Sequence, residues 1–197
     1  MKVQTELTAE SCFFFALLCL TLPLKWIAAI IFAGSFHELC HALAVLLTGV
    51  EIYSIRIGLS GTVMDVSEMC PWKELLCTLS GPAGSMTLFL LAEHIPHTAI
   101  CALFHGVYNL LPIYPLDGGR AICCILKLCY PHEKAVRVCR MLNRVVGVLL
   151  ALCGILVIVR LKIGILPVLT AMLFLSRAMD EKYLAKMAFS GYNRITL

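Results

Sequence analysis

The sequence predicts an all-α polytopic membrane protein with about six transmembrane helices and one short β-hairpin-like segment. Its composition is the first reason: 60% of the 197 residues are hydrophobic and 14% are charged. Soluble domains contain about 45–50% apolar and about 25% charged residues. The second reason is that apolar segments recur along the chain, most of them near the roughly 20 residues that a bilayer requires.

The predicted spans share an apolar composition with few charges. They are Ser11–Leu24, Trp26–Thr48, Trp72–Ala92, Thr98–Tyr114, Met141–Val159 and Ile163–Met179. The first is short because Pro23 ends it, and only Arg160-Leu161-Lys162 separates the last two. We therefore expect residues 1–180 to form one membrane core and residues 181–197 to form a short cytosolic tail.

Basic residues set the expected orientation. With six spans, both termini and the segments 49–71 and 115–140 lie on one side of the membrane. Of the 16 lysines and arginines, only Lys25, Arg160 and Lys162 fall on the other side. Because cytosolic loops are enriched in Lys and Arg, we expect both termini in the cytosol. No run of basic residues indicates nucleic-acid binding.

A His-Glu-x-x-His pattern lies in the second predicted span, at His37, Glu38 and His41. Histidines four residues apart share one face of a helix and can bind one metal ion. The glutamate between them can act as a general base. Ionisable residues inside a membrane span are rare and usually functional. The pattern therefore predicts two metal ligands and a catalytic base.

A third ligand is expected, because a catalytic zinc takes three protein ligands and keeps one position open. The segment 109–119, Asn-Leu-Leu-Pro-Ile-Tyr-Pro-Leu-Asp-Gly-Gly, should break the fourth span at its two prolines. Asp117 is favoured because irregular backbone at membrane depth is tolerated where it lines a site. Asn109 could donate a hydrogen bond to a substrate carbonyl or oxyanion. The weaker candidates for the third ligand are His105, Glu51 and Cys40.

Two further segments have distinct patterns. In the third span, residues 80–85, Ser-Gly-Pro-Ala-Gly-Ser, predict an interruption and a close helix contact. Between the second and third spans, apolar residues alternate with polar ones, which indicates a strand with a return strand at Thr62–Val66. That strand is either part of a simple surface hairpin or an edge strand that pairs with an unfolded substrate. Its candidate substrate-binding residues are Tyr53, Ile55, Ile57 and Leu59.

Taken together, these motifs resemble the site-2 protease family of intramembrane zinc metalloproteases. The matching residues are His-Glu-Leu-Cys-His followed by Ala44, and Asn-x-x-Pro-x-x-Pro-Leu-Asp-Gly-Gly further on. Gly81-Pro82 is similar to a third, weaker motif, which usually ends in asparagine where this chain has Ser85. Within the family, the likeness is closest to the compact branch typified by the sporulation factor IVB protease of spore-forming bacteria.

The resemblance implies one Zn²⁺ per chain, bound by His37, His41 and Asp117, with Glu38 as the catalytic base and Asn109 in the active site. It implies hydrolysis of a membrane-tethered regulatory protein, such as a pro-sigma factor, near the cytosolic membrane face. The expected partners are this substrate, membrane regulatory proteins and the lipid bilayer. The expected location is a bacterial cytoplasmic or mother-cell-derived membrane.

Two other functions are compatible with ionisable residues in a span. One is an intramembrane metal-binding transporter, which should have polar residues along a whole path, whereas the fifth and sixth spans have almost none. The other is a non-catalytic scaffold of the same fold, which would not need a complete set of ligands and base.

Overall fold

The computed structural model describes residues 2–5, 19–58, 61–67, 69–114, 116–161 and 195–196. Most of this part of the chain is helical. The helices are α1 (Leu24–Leu47), α2 (Pro71–Leu90), α3 (Pro96–Asn109), α4 (Asp117–Cys129) and α5 (His132–Leu161). The strands of the sheet are β1 (Lys2–Thr5), β2 (Ile52–Gly58), β3 (Gly61–Val66) and β4 (Ile195–Thr196).

The helices α1, α2 and α3 correspond to the second, third and fourth predicted spans, and α5 contains the fifth. The sixth predicted span and most of the first lie outside the described residues. Within the described part of the chain, α1 is the helix that has both the length and the apolar composition to cross a membrane. The count of six spans therefore stays a prediction.

The segment 115–140, predicted as a cytosolic connection, is largely helical. It contains α4 and the first turns of α5. In α4 the buried residues Gly118, Ala121 and Cys124 recur at helical spacing, while Ile125 and Leu128 are exposed. Its 13 residues would extend about 20 Å, too short to cross a hydrocarbon core of about 30 Å.

Helix α2 is the centre of the helical packing, because it contacts α1, α3 and α4. Its small residues allow this: Gly84 lies against Cys40 of α1, and Gly106 of α3 lies against Ser85. The predicted interruption at residues 80–85 is wrong, since α2 continues through a buried Pro82. A proline removes only one backbone donor, and neighbouring helices stabilise the helix around it.

The predicted break after the fourth span is confirmed, because α3 ends at Asn109 and α4 begins at Asp117. The connection is held from two sides. The buried Asn143 of α5 accepts a hydrogen bond from the backbone N–H of Tyr114 at 2.6 Å. Gly119 lies so close to the backbone of the connection that a Cβ atom there would overlap it. This packing fixes where α4 starts.

Strands β2 and β3 pair antiparallel across the segment in which the sequence predicted strand periodicity. Val50 and Val66, at the base of the pair, pack with Val45 of α1 and Cys77 of α2. The backbone N–H of Ser67 also donates to the carbonyl of Glu51 at 2.8 Å. The sheet is therefore anchored on the two helices α1 and α2.

The described sheet does not leave β2 at an edge, which was one of the two alternatives for this strand. The strand order is β1-β2-β3-β4, so β2 lies between two neighbours. β1 runs parallel to β2, from Lys2 opposite Ser54 to Thr5 opposite Ile57. β4, from the predicted tail, pairs with β3. The chain's own segments thus satisfy the backbone groups that an exposed edge would present.

The outer faces of the helices are apolar. On α1, Leu39 and Leu43 are 61% and 53% exposed, and Phe104 on α3 is 71% exposed. Water-soluble monomers rarely expose contiguous apolar patches of more than a few hundred Å². The polar groups that carry chemistry face inward instead, between α1, α2 and α4.

Candidate metal centre

His37 and His41 lie one turn apart on α1 and point toward α2. Both rings are almost completely buried, at 2% and 1% exposure. The Nε2 atoms of the two rings are 3.1 Å apart. The two imidazoles share one helix face and direct the same ring atom to one point. They can therefore supply two of the three protein ligands of a catalytic zinc.

Asp117 reaches the same point from a different helix. It is the first residue of α4 and is buried. Its Oδ2 atom lies 3.1 Å from Nε2 of His37 and 3.3 Å from Nε2 of His41. The three ligand atoms all lie within 4.8 Å of one another. The structure therefore brings together the three residues that the sequence predicted as ligands.

The hydrogen bond between His41 and Cys77 determines which ring nitrogen faces Asp117. Its Nδ1 atom is 2.7 Å from the carbonyl oxygen of Cys77. A carbonyl oxygen can only accept, so Nδ1 carries the hydrogen, and Nε2 of the neutral ring has a lone pair. That lone pair faces the Asp117 carboxylate, which is also an electron-pair donor. Two such donors at 3.3 Å repel each other unless a proton or a metal ion lies between them.

Zinc fits the spacing of these atoms. Tetrahedral zinc binds imidazole nitrogen and carboxylate oxygen at about 2.0–2.2 Å, which places neighbouring ligand atoms about 3.4 Å apart. The observed separations are 3.1, 3.1 and 3.3 Å. Two histidines and one carboxylate are also a ligand set of known catalytic zinc sites. The three side chains therefore need little movement to bind zinc.

Helix α2 orients both imidazoles through their Nδ1 atoms. Nδ1 of His37 is 2.9 Å from the hydroxyl of the buried Ser85. The Cys77 carbonyl that accepts from His41 also accepts from Ser80 at 2.7 Å. Partners of this kind fix the ring orientation and the tautomer of metal-binding histidines. Sequence analysis gave Ser85 no role, although positions 77, 81, 84 and 85 share one helix face.

Gly81 gives the ligand atoms their space. A Cβ atom at this position would overlap Nε2 of His41 and would lie only 2.7 Å from Nε2 of His37. Real Cβ contacts essentially never come below 3.0 Å. The backbone of α2 therefore forms one wall of the site, and only glycine leaves the convergence of the two rings undisturbed.

The weaker ligand candidates lie outside this group in the described structure. Cys40 lies against Gly84, and the backbone N–H of Glu51 bonds to Ser67 at the base of the sheet. His105 is close but separate. Its ring packs edge-on against His37, with centroids 4.6 Å apart and an interplanar angle of 88°.

The predicted base and the predicted donor have different settings. Glu38 is half-buried on α1, directly after the first ligand, and its Oε2 atom is shielded from solvent. Asn109 is half-buried at the end of α3, where its amide donates to the carbonyl of His105 at 3.1 Å. Glu38 thus lies on the helix of the two histidine ligands. Asn109 lies on α3, the helix of His105, whose ring contacts His37.

The predicted substrate-binding residues are on or next to β2. Tyr53 is 52% exposed, and Ile55 and Ile57 are in the strand. Leu59 lies outside the described residues. β1 pairs along the stretch from Ser54 to Ile57, so any further strand at this edge would replace β1.

Comparison with known proteins gives relatives and one shared fold. No protein-family model matches the chain. A Synechocystis protein provisionally named a zinc metalloprotease is 32% identical in an alignment of 102 residues that covers 44% of this chain and 27% of that protein. A zinc metalloprotease of Methanocaldococcus jannaschii is 25% identical in an alignment of 134 residues that covers 61% of this chain and 40% of that protein. The chain thus spans well under half the length of these relatives.

The fold is that of a solved site-2 protease from Methanocaldococcus jannaschii. The two structures match with a TM-score of 0.64 over 92% of this chain and 91% of the other, at 22% sequence identity. At this identity the similarity establishes the architecture. The metal centre of this chain is argued from its own residues.

A matched pair of glycine variants tests the wall of the site. Gly81→Ala should weaken zinc binding, because the new methyl group displaces the Nε2 atoms, whereas Gly34→Ala on α1 would meet no described atom within 4 Å. Overpacking of this kind costs about 1–3 kcal/mol. If this cost reduces the free energy of zinc binding, the affinity falls by about 5- to 150-fold. Competition with a chromogenic chelator would measure both affinities. Equal zinc affinity of Gly81→Ala and the wild type would contradict the described packing.

Proposed function

We propose that the chain is a zinc metalloprotease that hydrolyses a peptide bond of a membrane-tethered protein. The observation that carries this proposal is the convergence of buried His37, His41 and Asp117, with Glu38 directly after the first ligand. The apolar outer face of α1 favours a membrane setting. The metalloprotease names of two relatives and the fold shared with a site-2 protease support the same activity.

The zinc ligands and Glu38 have different roles in the proposed peptide hydrolysis. A zinc ion held by His37, His41 and Asp117 would act as a Lewis acid and would make water acidic enough to lose a proton near neutral pH. Glu38 takes that proton as the water oxygen bonds to the scissile carbonyl carbon, and the π electrons of the carbonyl move to its oxygen. When the C–N bond breaks, Glu38 returns the proton to the leaving amine. A carboxylic acid and an amine result.

Burial of the site supports this chemistry. The ligands are almost completely excluded from solvent, so charge interactions among them are weakly screened. Asn109 has one amide hydrogen engaged with its own helix and a second one with which it can hold the substrate carbonyl. Its role in the active site is part of this proposal.

The finer proposal concerns the membrane. We place six spans in the full chain, with both termini in the cytosol, and cleavage near the cytosolic face. The uneven distribution of basic residues supports this orientation. The proposed substrate is a membrane-tethered regulatory protein such as a pro-sigma factor, in a bacterial cytoplasmic or mother-cell-derived membrane. Membrane proteins that regulate cleavage would be further partners.

The sheet is the proposed docking place of the substrate. A protease cleaves an extended backbone, and a transmembrane helix that unwinds loses its internal hydrogen bonds. A strand of the sheet can replace those bonds. We propose that the substrate pairs with β2 along Tyr53, Ile55, Ile57 and Leu59 after displacing β1. The four residues of β1 form a short pairing, which a longer substrate strand can outcompete.

Glu38→Gln separates catalysis from metal binding. The variant should bind zinc like the wild type but cleave a transmembrane peptide about 10²–10⁴-fold more slowly, because glutamine cannot accept the proton. Glu51→Gln is the control, since Glu51 lies at the base of the sheet and outside the ligand group. Zinc content by elemental analysis and cleavage in the same vesicles give the two readouts. Cleavage at the wild-type rate would contradict the mechanism, and metal transport that survives in a chain without cleavage would favour a transporter.

Proline variants test the docking strand. Ile55→Pro and Ile57→Pro should lower cleavage strongly and leave zinc content normal, because each removes a backbone donor from β2. Val3→Pro is the matched variant in β1, opposite Ile55. It should raise cleavage or leave it unchanged, because it weakens only the strand that the substrate displaces. If both β2 variants cleave normally, the segment is an ordinary surface hairpin.

A further inference from the structure

His105 has an unused hydrogen-bonding atom beside the metal centre. Its ring lies on α3 and packs edge-on against the ligand His37, with centroids 4.6 Å apart. The Nε2 atom of His105 is buried, and the described part of the chain offers it no hydrogen-bond partner. Buried side-chain nitrogens in native proteins are almost always bonded, so this atom needs an explanation.

Metal ligation does not explain it. The ligand atoms of His37, His41 and Asp117 form one close group, and His105 is not part of that group. Three protein ligands already complete a catalytic zinc site, which keeps its remaining position for water or substrate. A fourth histidine ligand would close that position. The partner of His105 Nε2 therefore lies outside the described residues, and a bound substrate is one such group.

The neighbouring residue Asn109 bonds to the backbone of His105 and not to its Nε2 atom. It lies one turn further along α3, and its amide donates to the backbone carbonyl of His105 at 3.1 Å. One of its two N–H groups is thus directed at its own helix. His105 contacts a ligand ring directly, and its Nε2 atom is uncommitted among the described residues. Of the two side chains, His105 is the one whose contact with the metal centre the structure shows.

We propose that His105 is a catalytic residue whose Nε2–H donates a hydrogen bond to the oxygen of the scissile carbonyl. This inference rests on the proposed peptidase function. A neutral imidazole has one N–H group, and the proposal assigns its hydrogen to the unpartnered Nε2 atom. When water adds to the carbonyl carbon, the electron pair of the C=O π bond moves to oxygen, and the hydrogen bond to His105 strengthens. When the C–N bond breaks, that pair re-forms the carbonyl and the hydrogen bond weakens again. His105 keeps its proton throughout.

Two substitutions distinguish a donor from a packing ring. His105→Phe keeps an aromatic ring against His37 but has no N–H group, whereas His105→Gln loses the ring and has an amide N–H at a similar reach. Loss of one oxyanion donor lowers kcat by about 10²–10³-fold. We expect that loss in His105→Phe with little change in KM, and a kcat within about tenfold of the wild type in His105→Gln. Zinc affinity should be unchanged in both variants.

The experiment uses the full chain in vesicles, with a transmembrane peptide that the wild type cleaves. A phosphinate analogue of the same peptide, which imitates the tetrahedral state, supplies a readout without turnover. In His105→Phe, the affinity for the phosphinate should fall by about the same factor as kcat. Unchanged kcat or unchanged phosphinate affinity in His105→Phe would overturn the inference. Loss of zinc in both variants would also overturn it, because His105 would then only hold His37 in place.

The experiment distinguishes an incorrect peptidase proposal from an incorrect role of His105. A wild-type chain that binds zinc but cleaves no transmembrane peptide would remove the proposed peptidase activity, and this inference with it. A wild-type chain that cleaves, together with a fully active His105→Phe variant, would remove only the role of His105.

Discussion

The structure depends on one electrostatic constraint, which is that buried electron-pair donors converge on one point and must be separated by a proton or a metal ion. The carbonyl of Cys77 fixes the hydrogen of His41 on Nδ1, so the Nε2 lone pair faces the carboxylate of Asp117 at 3.3 Å. Burying an ionised group is costly unless an opposite charge pairs with it. A divalent cation meets this need, and the surrounding features serve to hold its ligands. Gly81 leaves them room, Ser85 orients the first imidazole, and the glycines after Asp117 let α4 begin close to the preceding connection.

The same residues link the metal centre to the sheet. Cys77 accepts the hydrogen bond from His41 and also packs with Val45, Val50 and Val66 at the base of β2 and β3. Helix α1 continues from His41 into this cluster within one turn. A strand that pairs with β2 would therefore be held at a fixed place relative to the ligands. Proteolysis requires a fixed position of this kind, because small errors in the placement of reacting groups lower the rate strongly.

Local motifs predicted much of the site, whereas long-range pairing was missed. The helical spacing of His37 and His41, and the two prolines before Asp117, were sufficient to propose three ligands on two separate segments. The interruption expected at Pro82 did not occur. Proline has no backbone N–H group, and packing against the neighbouring helices stabilises α2 despite the lost hydrogen bond. The helix α4 was missed because the segment 115–140 was assigned as a connection between the fourth and fifth predicted spans. Pairing of β1 with β2 joins residues about 50 positions apart, and a four-residue polar strand carries no periodic signal that would predict it. The contact of His105 with His37 likewise arises from the packing of α3 on α1.

X-ray absorption at the zinc edge of the purified chain tests the central claim most directly. Two imidazole nitrogens and a carboxylate oxygen should appear at about 2.0–2.2 Å, with no sulfur. In a His41→Ala variant that is loaded with zinc, the imidazole scattering should fall by half. A sulfur shell at about 2.3 Å, which Cys40 or Cys77 would give, would contradict the site. Unchanged imidazole scattering in His41→Ala would contradict it as well.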